Sequence, residues 1–283
     1  MPLIFPRLIW SSLAVALAVG TVPTGVQRLQ AAPLIAAAEA YEGQRDQKVE
    51  TPALVAALVA PLRAVAAHTH DDKHDHNNDM AKQWEPANCA ERTGWTWVAN
   101  ALHAFSMALL VLAVMGVWRF QRGVTLTALP LAGFVVAAGW LSFHLWPTMG
   151  LPATVPGMEV APLQARQLWS VLAVGSAATA CALAAFGTAK WRRSAVAVLL
   201  ALPFVVGSPH FQADALAGYS PQAHAAVKQL AQQFFWATTW VALSFWLSIG
   251  LACGLVFQRW LQPVLTEIFE TDRLGTAQRT QPA

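Results

Sequence analysis

Charge is what this sequence lacks most. Only 12% of its 283 residues are Asp, Glu, Lys or Arg, and 56% are hydrophobic. Reading between successive charged residues leaves six long windows without any formal charge: Leu8 to Gln27, Thr93 to Trp118, Gly123 to Met158, Gln167 to Ala189, Ser194 to Ala213 and Gln229 to Gln258. Each is long enough to cross a bilayer, which takes about 20 mostly apolar residues in a helix. The windows are continuously apolar and show no two-residue alternation, which excludes barrel strands and leaves helices as the spanning form. The fold class expected is therefore all-α, a polytopic membrane helix bundle of about six spans. The fifth window is the weakest, because its apolar part, AVAVLLALPFVVG, is short and carries Pro203; a kinked or re-entrant segment there would leave five.

Other absences narrow the function. Three cysteines, Cys89, Cys181 and Cys253, are too scattered for a CxxC pair or a disulfide framework. No G-x-x-x-x-G-K-[ST] loop supplies a nucleotide engine, and neither HExxH nor GxSxG marks a hydrolase, so no enzyme activity is expected. The net charge of +3 comes from basic residues clustered in loops, which argues for topology and against nucleic acid.

Those clusters set an orientation. RFQRG (119–123) and KWRR (190–193) are basic, Arg7 precedes the first window and Arg259 follows the last. The alternate loops, 147–166 and 207–233, hold one basic residue each, Arg166 and Lys228. Lys and Arg near a span resist translocation, so the basic loops and both termini are expected in the cytoplasm of a multi-pass protein of the bacterial inner membrane. No small-x-small cleavage site follows the first apolar run, so that segment is expected to stay in place as a span or an uncleaved anchor. The division expected is a first segment 1–28, an extracytoplasmic loop 29–92, a bundle 93–260 and a cytoplasmic tail 261–283. Tryptophans near window ends, among them Trp95, Trp146, Trp169, Trp191, Trp236 and Trp260, fit an interfacial belt.

What is present is histidine. The tract AHTHDDKHDHNND (67–79) carries His68, His70, His74 and His76 interleaved with Asp71, Asp72 and Asp75. Neutral imidazole suits cobalt, nickel, zinc and copper, and carboxylates add charge. A metal-capture arm is the functional reading and a solvated loop of mixed charge the alternative. Imidazole sheds its proton to bind, so capture should fade below about pH 6. Glu39 and Glu42, three apart, share a helix face that would either attract a cation at the outer mouth or form the wet side of an interfacial helix. Residues 53–67, broken by Pro61 and Arg63, read as lying on the membrane.

Polar groups inside a span carry a cost that points to function, and His103 and His144 fall within windows. With His210 at the end of the fifth window, they form a candidate ion path. Interhelical hydrogen bonding is the competing explanation. The proline-rich loop after the third window, with Met149, Pro152, Pro156, Met158 and Arg166, reads as a rigid outer gate.

Three runs, APLIAAAEAYE (32–42), GLPATVPGMEVAPLQARQLW (150–169) and ALPFVVGSP (201–209), resemble the CbtA family, proposed cobalt-transporter subunits of bacteria. The resemblance covers essentially the whole chain. It implies cobalt uptake, usually five spans, and a small one-span partner, CbtB, that bears its own histidines. Ser170 stands where the family pattern has a second tryptophan.

The function expected is a permease subunit taking up a divalent transition metal, cobalt favoured over nickel and zinc, with no organic cofactor. Its alternatives are a non-conducting membrane metal chaperone or sensor, and an electron-transfer protein with haem between His103 and His144. The depths of the two histidines, roughly 9 Å apart at 1.5 Å per residue, disfavour haem.

Overall fold

The computed structural model describes residues 4–49, 90–123, 126–211 and 214–267. The histidine tract, the 53–67 segment and Cys89 lie outside the described residues. Among the described residues the chain forms helices and no strand. They are α1 (Ile4–Val26), α2 (Ala32–Val49), α3 (Ala90–Arg122), α4 (Ala128–Trp140), α5 (Trp146–Gly150), α6 (Leu163–Phe186), α7 (Arg192–Val206) and α8 (Pro221–Val256).

Three single π-turns, Gln27–Ala31, Leu141–Leu145 and Phe257–Leu261, join or extend these helices. Each ends two residues before a proline: Pro33, Pro147 and Pro263. A proline has no N–H and its ring collides with the carbonyl four residues back. That carbonyl belongs to Leu29, Phe143 or Arg259, always inside the π-turn. The wider turn relieves the collision and lets the helix run through the proline. Hence α1 passes into α2 without a break, and Glu39 and Glu42 stand on an extension of the first span, where the sequence suggested a separate interfacial helix.

Among the described residues, five helices are long and apolar enough to cross a membrane: Phe5–Glu42, Ala90–Arg122, Ala128–Gly150, Leu163–Phe186 and Pro221–Glu267. The remaining window yields α7, 15 residues long. That is about 22 Å, short of the roughly 30 Å hydrocarbon core. Gly207, at φ 84°, ends it in the left-handed region that glycine reaches without strain.

Contacts order the helix ends. Gly20 packs on Ala101 and Asn100 reaches Thr24, so α1 and α3 are antiparallel. Gly254 meets Leu129 and Gly250 meets Val136, so α4 and α8 are antiparallel. The guanidinium of Arg122 donates to the Ala185 carbonyl at the end of α6, and Arg192 donates to Gly187 at the start of α7. Arg119 reaches Gln262 beyond α8. One end of the bundle therefore gathers Arg119, Arg122, Arg192 and Gln262, with the start of α1 at the same level. Short as it is, α7 returns along α6, where the Trp169 indole donates to the Pro203 carbonyl and Trp146 to Leu200. Both described chain ends thus lie at this basic end.

The main core is built by α1, α3, α4 and α8, with Val15, Val19, Leu112, Met115, Leu131, Ile249 and Phe257 nearly inaccessible. Trp169 does not sit in an interfacial belt: it is 4% exposed and covers Gly150. Trp95, Trp191 and Trp236 remain exposed.

Candidate functional site

At the end opposite the arginine cluster, α1, α3 and α8 diverge around a half-enclosed cavity of about 590 Å³. Its walls include both in-span histidines, His103 from α3 and His144 from the π-turn after α4. Their different depths do not keep them from one cavity, because α3 begins at Ala90, ahead of the charge-free window.

Neutral oxygen and nitrogen donors complete the polar wall. Asn100 donates from Nδ2 to Thr24 Oγ1 at 2.9 Å and to Gln27 Oε1 at 2.8 Å, tying α3 to α1. Thr24 in turn donates to the Gly20 carbonyl at 2.7 Å. Gln27 opens the π-turn that Pro33 requires, so the proline also presents an amide to the cavity. Thr96 and Thr238 line it too. The floor is aromatic: His103 stacks on Phe245 with ring centroids 4.9 Å apart, and Phe245 and Trp246 are 6% and 4% exposed. The Trp246 ring lies against Gly139 of α4, where a Cβ would collide.

The charged groups at the mouth are basic. Arg28 and Arg92 line the cavity, and among the described residues Arg28 has no ion-pair partner. Arg92 pairs with Glu39 at 3.3 Å. Neither Glu39 nor Glu42 is among the lining residues; Glu42 lies near Gly157 of the proline-rich loop. That loop is held over the bundle by Tyr219, whose hydroxyl donates to the Gly157 carbonyl at 3.2 Å. Val155 and Met158 pack there with Ala38 and Val227. Pro152 and Met158 border a separate cleft with Lys228 and Trp236, Pro156 and Arg166 are half-buried, and Met149 is exposed. His210 is exposed and bonds Ser208 Oγ at 3.1 Å, away from the cavity wall. His224 meets Asp214 at 3.4 Å in the same outer region.

Of the sequence candidates, the structure thus brings His103 and His144 together and leaves Glu39, Glu42 and His210 outside that group. Asn100, Thr24 and Gln27 were missed. An Asn inside an apolar window was the available signal.

Among the described residues no three His, Cys, Asp or Glu side chains gather as a metal-holding group. Two imidazoles with hydroxyl and amide oxygens make a weak ligand set, suited to cargo that must leave as readily as it arrives.

Residues 5–258 match the model of a family described as probable cobalt transporter subunit (CbtA). The chain belongs to the CbtA family. No curated protein and no solved structure matches it. The family's description, a probable transporter subunit, is not an enzyme class, and the apolar helices fit a membrane-embedded protein. The match takes in every helix that lines the cavity.

Proposed function

We propose that this chain is the spanning subunit of a permease that takes up a divalent transition metal, cobalt first among the candidates. The observation that carries the reading is that His103 and His144 line one cavity at the end of the bundle opposite Arg119, Arg122 and Arg192. With the basic end in the cytoplasm, as the positive-inside rule requires, that cavity faces outward in a bacterial inner membrane.

The segment joining α2 to α3 contains His68, His70, Asp71, Asp72, His74, Asp75 and His76, and both helices reach the cavity end. In this scheme the tract collects metal, the cavity histidines receive it, and the 147–166 loop gates access. Glu39 contributes field only while Arg92 neutralises little of it. A one-span partner bearing histidines, as the resemblance implies, completes the subunit assembly.

The driving force needs no nucleotide. An interior-negative potential of 100 mV favours inward movement by about 2.3 kcal/mol per charge, so about 4.6 for a dication, or roughly three decades of concentration.

The test is reconstitution into sealed liposomes with an imposed inside-negative potential and a cobalt-sensitive dye inside. Cobalt should accumulate, and H103A/H144A should abolish most of the flux. Metal bound at the surface without flux would make the protein a chaperone or sensor and remove the permease reading.

A further inference from the structure

Below the Phe245–Trp246 floor an apolar cavity of about 680 Å³ opens between α3, α4 and α6, whereas the core shared by α1, α3 and α8 is closely packed, and its polar atoms follow a pattern. Among the described residues, the side-chain N and O atoms that are fully buried without any hydrogen-bond partner are Ser11 Oγ, Ser12 Oγ, Arg119 Nε and Nη1, and Trp140 Nε1. They run from Trp140, beside the cavity floor, to Arg119 at the basic end. Trp140 ends α4 one turn before His144 of the following π-turn, its ring 6.1 Å from the imidazole. Arg119 lies at the level of Gln262. Counting along antiparallel α1 and α3 from Gly20 against Ala101 puts Arg119 level with the start of α1 and Ser12 about nine residues above it.

A serine inside a helix ordinarily bonds the carbonyl three or four residues back, as Ser176, Ser244 and Ser248 do here. Ser11 and Ser12 do not, although both are 0% exposed. A buried hydroxyl without a partner lowers stability, and such local violations mark functional positions. We infer that Ser11 and Ser12 line the inner half of the metal path, which is closed in this structure, and that Arg119 with Gln262 forms its inner gate. This inference rests on the permease reading above.

The chemistry is that of a hydrated dication. Hydroxyl oxygens replace part of the water shell without holding the ion, and the Arg119 charge opposes exit until its side chain leaves the axis. The gate bond, Arg119 Nη2 to Gln262 Oε1, is long at 3.4 Å and leaves two guanidinium nitrogens without a partner, so little holds it shut.

The experiment compares wild type, Ser11→Ala/Ser12→Ala and Ser12→Cys in the liposome assay, with thermal unfolding of each in detergent. The inference expects the double alanine variant to lose at least tenfold in cobalt flux while melting no lower than wild type, because it removes only unpartnered hydroxyls. Ser12→Cys, of similar size and still a donor to metal, should retain most of the flux. Unchanged flux in the double variant would overturn the inference and leave the permease standing, as would a flux loss accompanied by a lower melting temperature, which would make the hydroxyls structural. Absence of flux in wild type would instead remove the permease reading.

Discussion

Arg92 holds Glu39 through an Nη2–Oε1 contact of 3.3 Å, with both side chains about half exposed. The carboxylate that sequence reasoning placed at the cation's doorway is thereby shared with an arginine that itself lines the cavity. A dication roughly 10 Å from one unit charge in water-like dielectric feels about 0.8 kcal/mol, or about fourfold in local concentration. Arg92→Ala should therefore raise the initial rate of cobalt uptake about fourfold at low ionic strength. The gain should vanish near 1 M salt, where the Debye length is about 3 Å. Stability should hardly move, since exposed pairs contribute under about 1 kcal/mol. A rate that falls in the variant would mean that Arg92 assists the cargo.

Asn100 joins α3 to α1 by donating to both Thr24 and Gln27. Asn100→Leu should lower stability by about 1 kcal/mol, the scale of interhelical polar contacts in membranes. Thermal unfolding in mild detergent would read this. Thr24→Val should cost less, because Asn100 keeps its bond to Gln27.

How far the sequence could disclose this molecule depends on which physical signal each feature leaves. Freedom from charge is a local property, so the spans and the basic loops were legible. The Ser194–Ala213 window was legible as the weakest, short and broken by Pro203, but its end at Gly207 and the indole bonds to it from Trp146 and Trp169, remote in sequence, appear only in three dimensions. Trp169 looked interfacial by position, yet only tertiary packing against Gly150 buries it. His103 and His144 announced themselves as polar groups in apolar windows. Ser11 and Ser12 did not, since serine is common in spans and its usual backbone bond is lost only in three dimensions. Glu39 was visible as an acid on a helix face, whereas its partner Arg92 lies 53 residues away.

Gly150 ends α5 directly against the Trp169 ring, so close that a Cβ could not be accommodated without movement of the indole. Gly150→Ala should cost roughly 1–3 kcal/mol, the usual range for overpacking. Trp169→Leu removes the obstructing ring, but also the bond to the Pro203 carbonyl. In the double variant the two losses should be less than additive, because the collision no longer exists. Additive melting shifts would show that Gly150 matters for its backbone and not for the ring above it.

Pro147 offers the sharpest probe of how backbone geometry aims the cavity. It forces the Leu141–Leu145 π-turn, which holds the His144 ring at the cavity wall, and Thr148 Oγ1 donates to the His144 carbonyl. Pro147→Ala restores an N–H and removes the ring collision with the Phe143 carbonyl, so the turn is free to wind into ordinary α-helix. Losing the extra residue of a π-turn rotates the downstream helix by about 100° relative to the upstream one. His144 and the Trp146 indole, which donates to Leu200, would lose their present directions together. Cobalt flux should fall at least severalfold while the melting temperature holds or rises. Pro203→Ala is the control, since that proline lies inside α7, which contributes nothing to the cavity wall. Equal loss in both variants would show that helix bending in general, and not the aim of His144, limits transport.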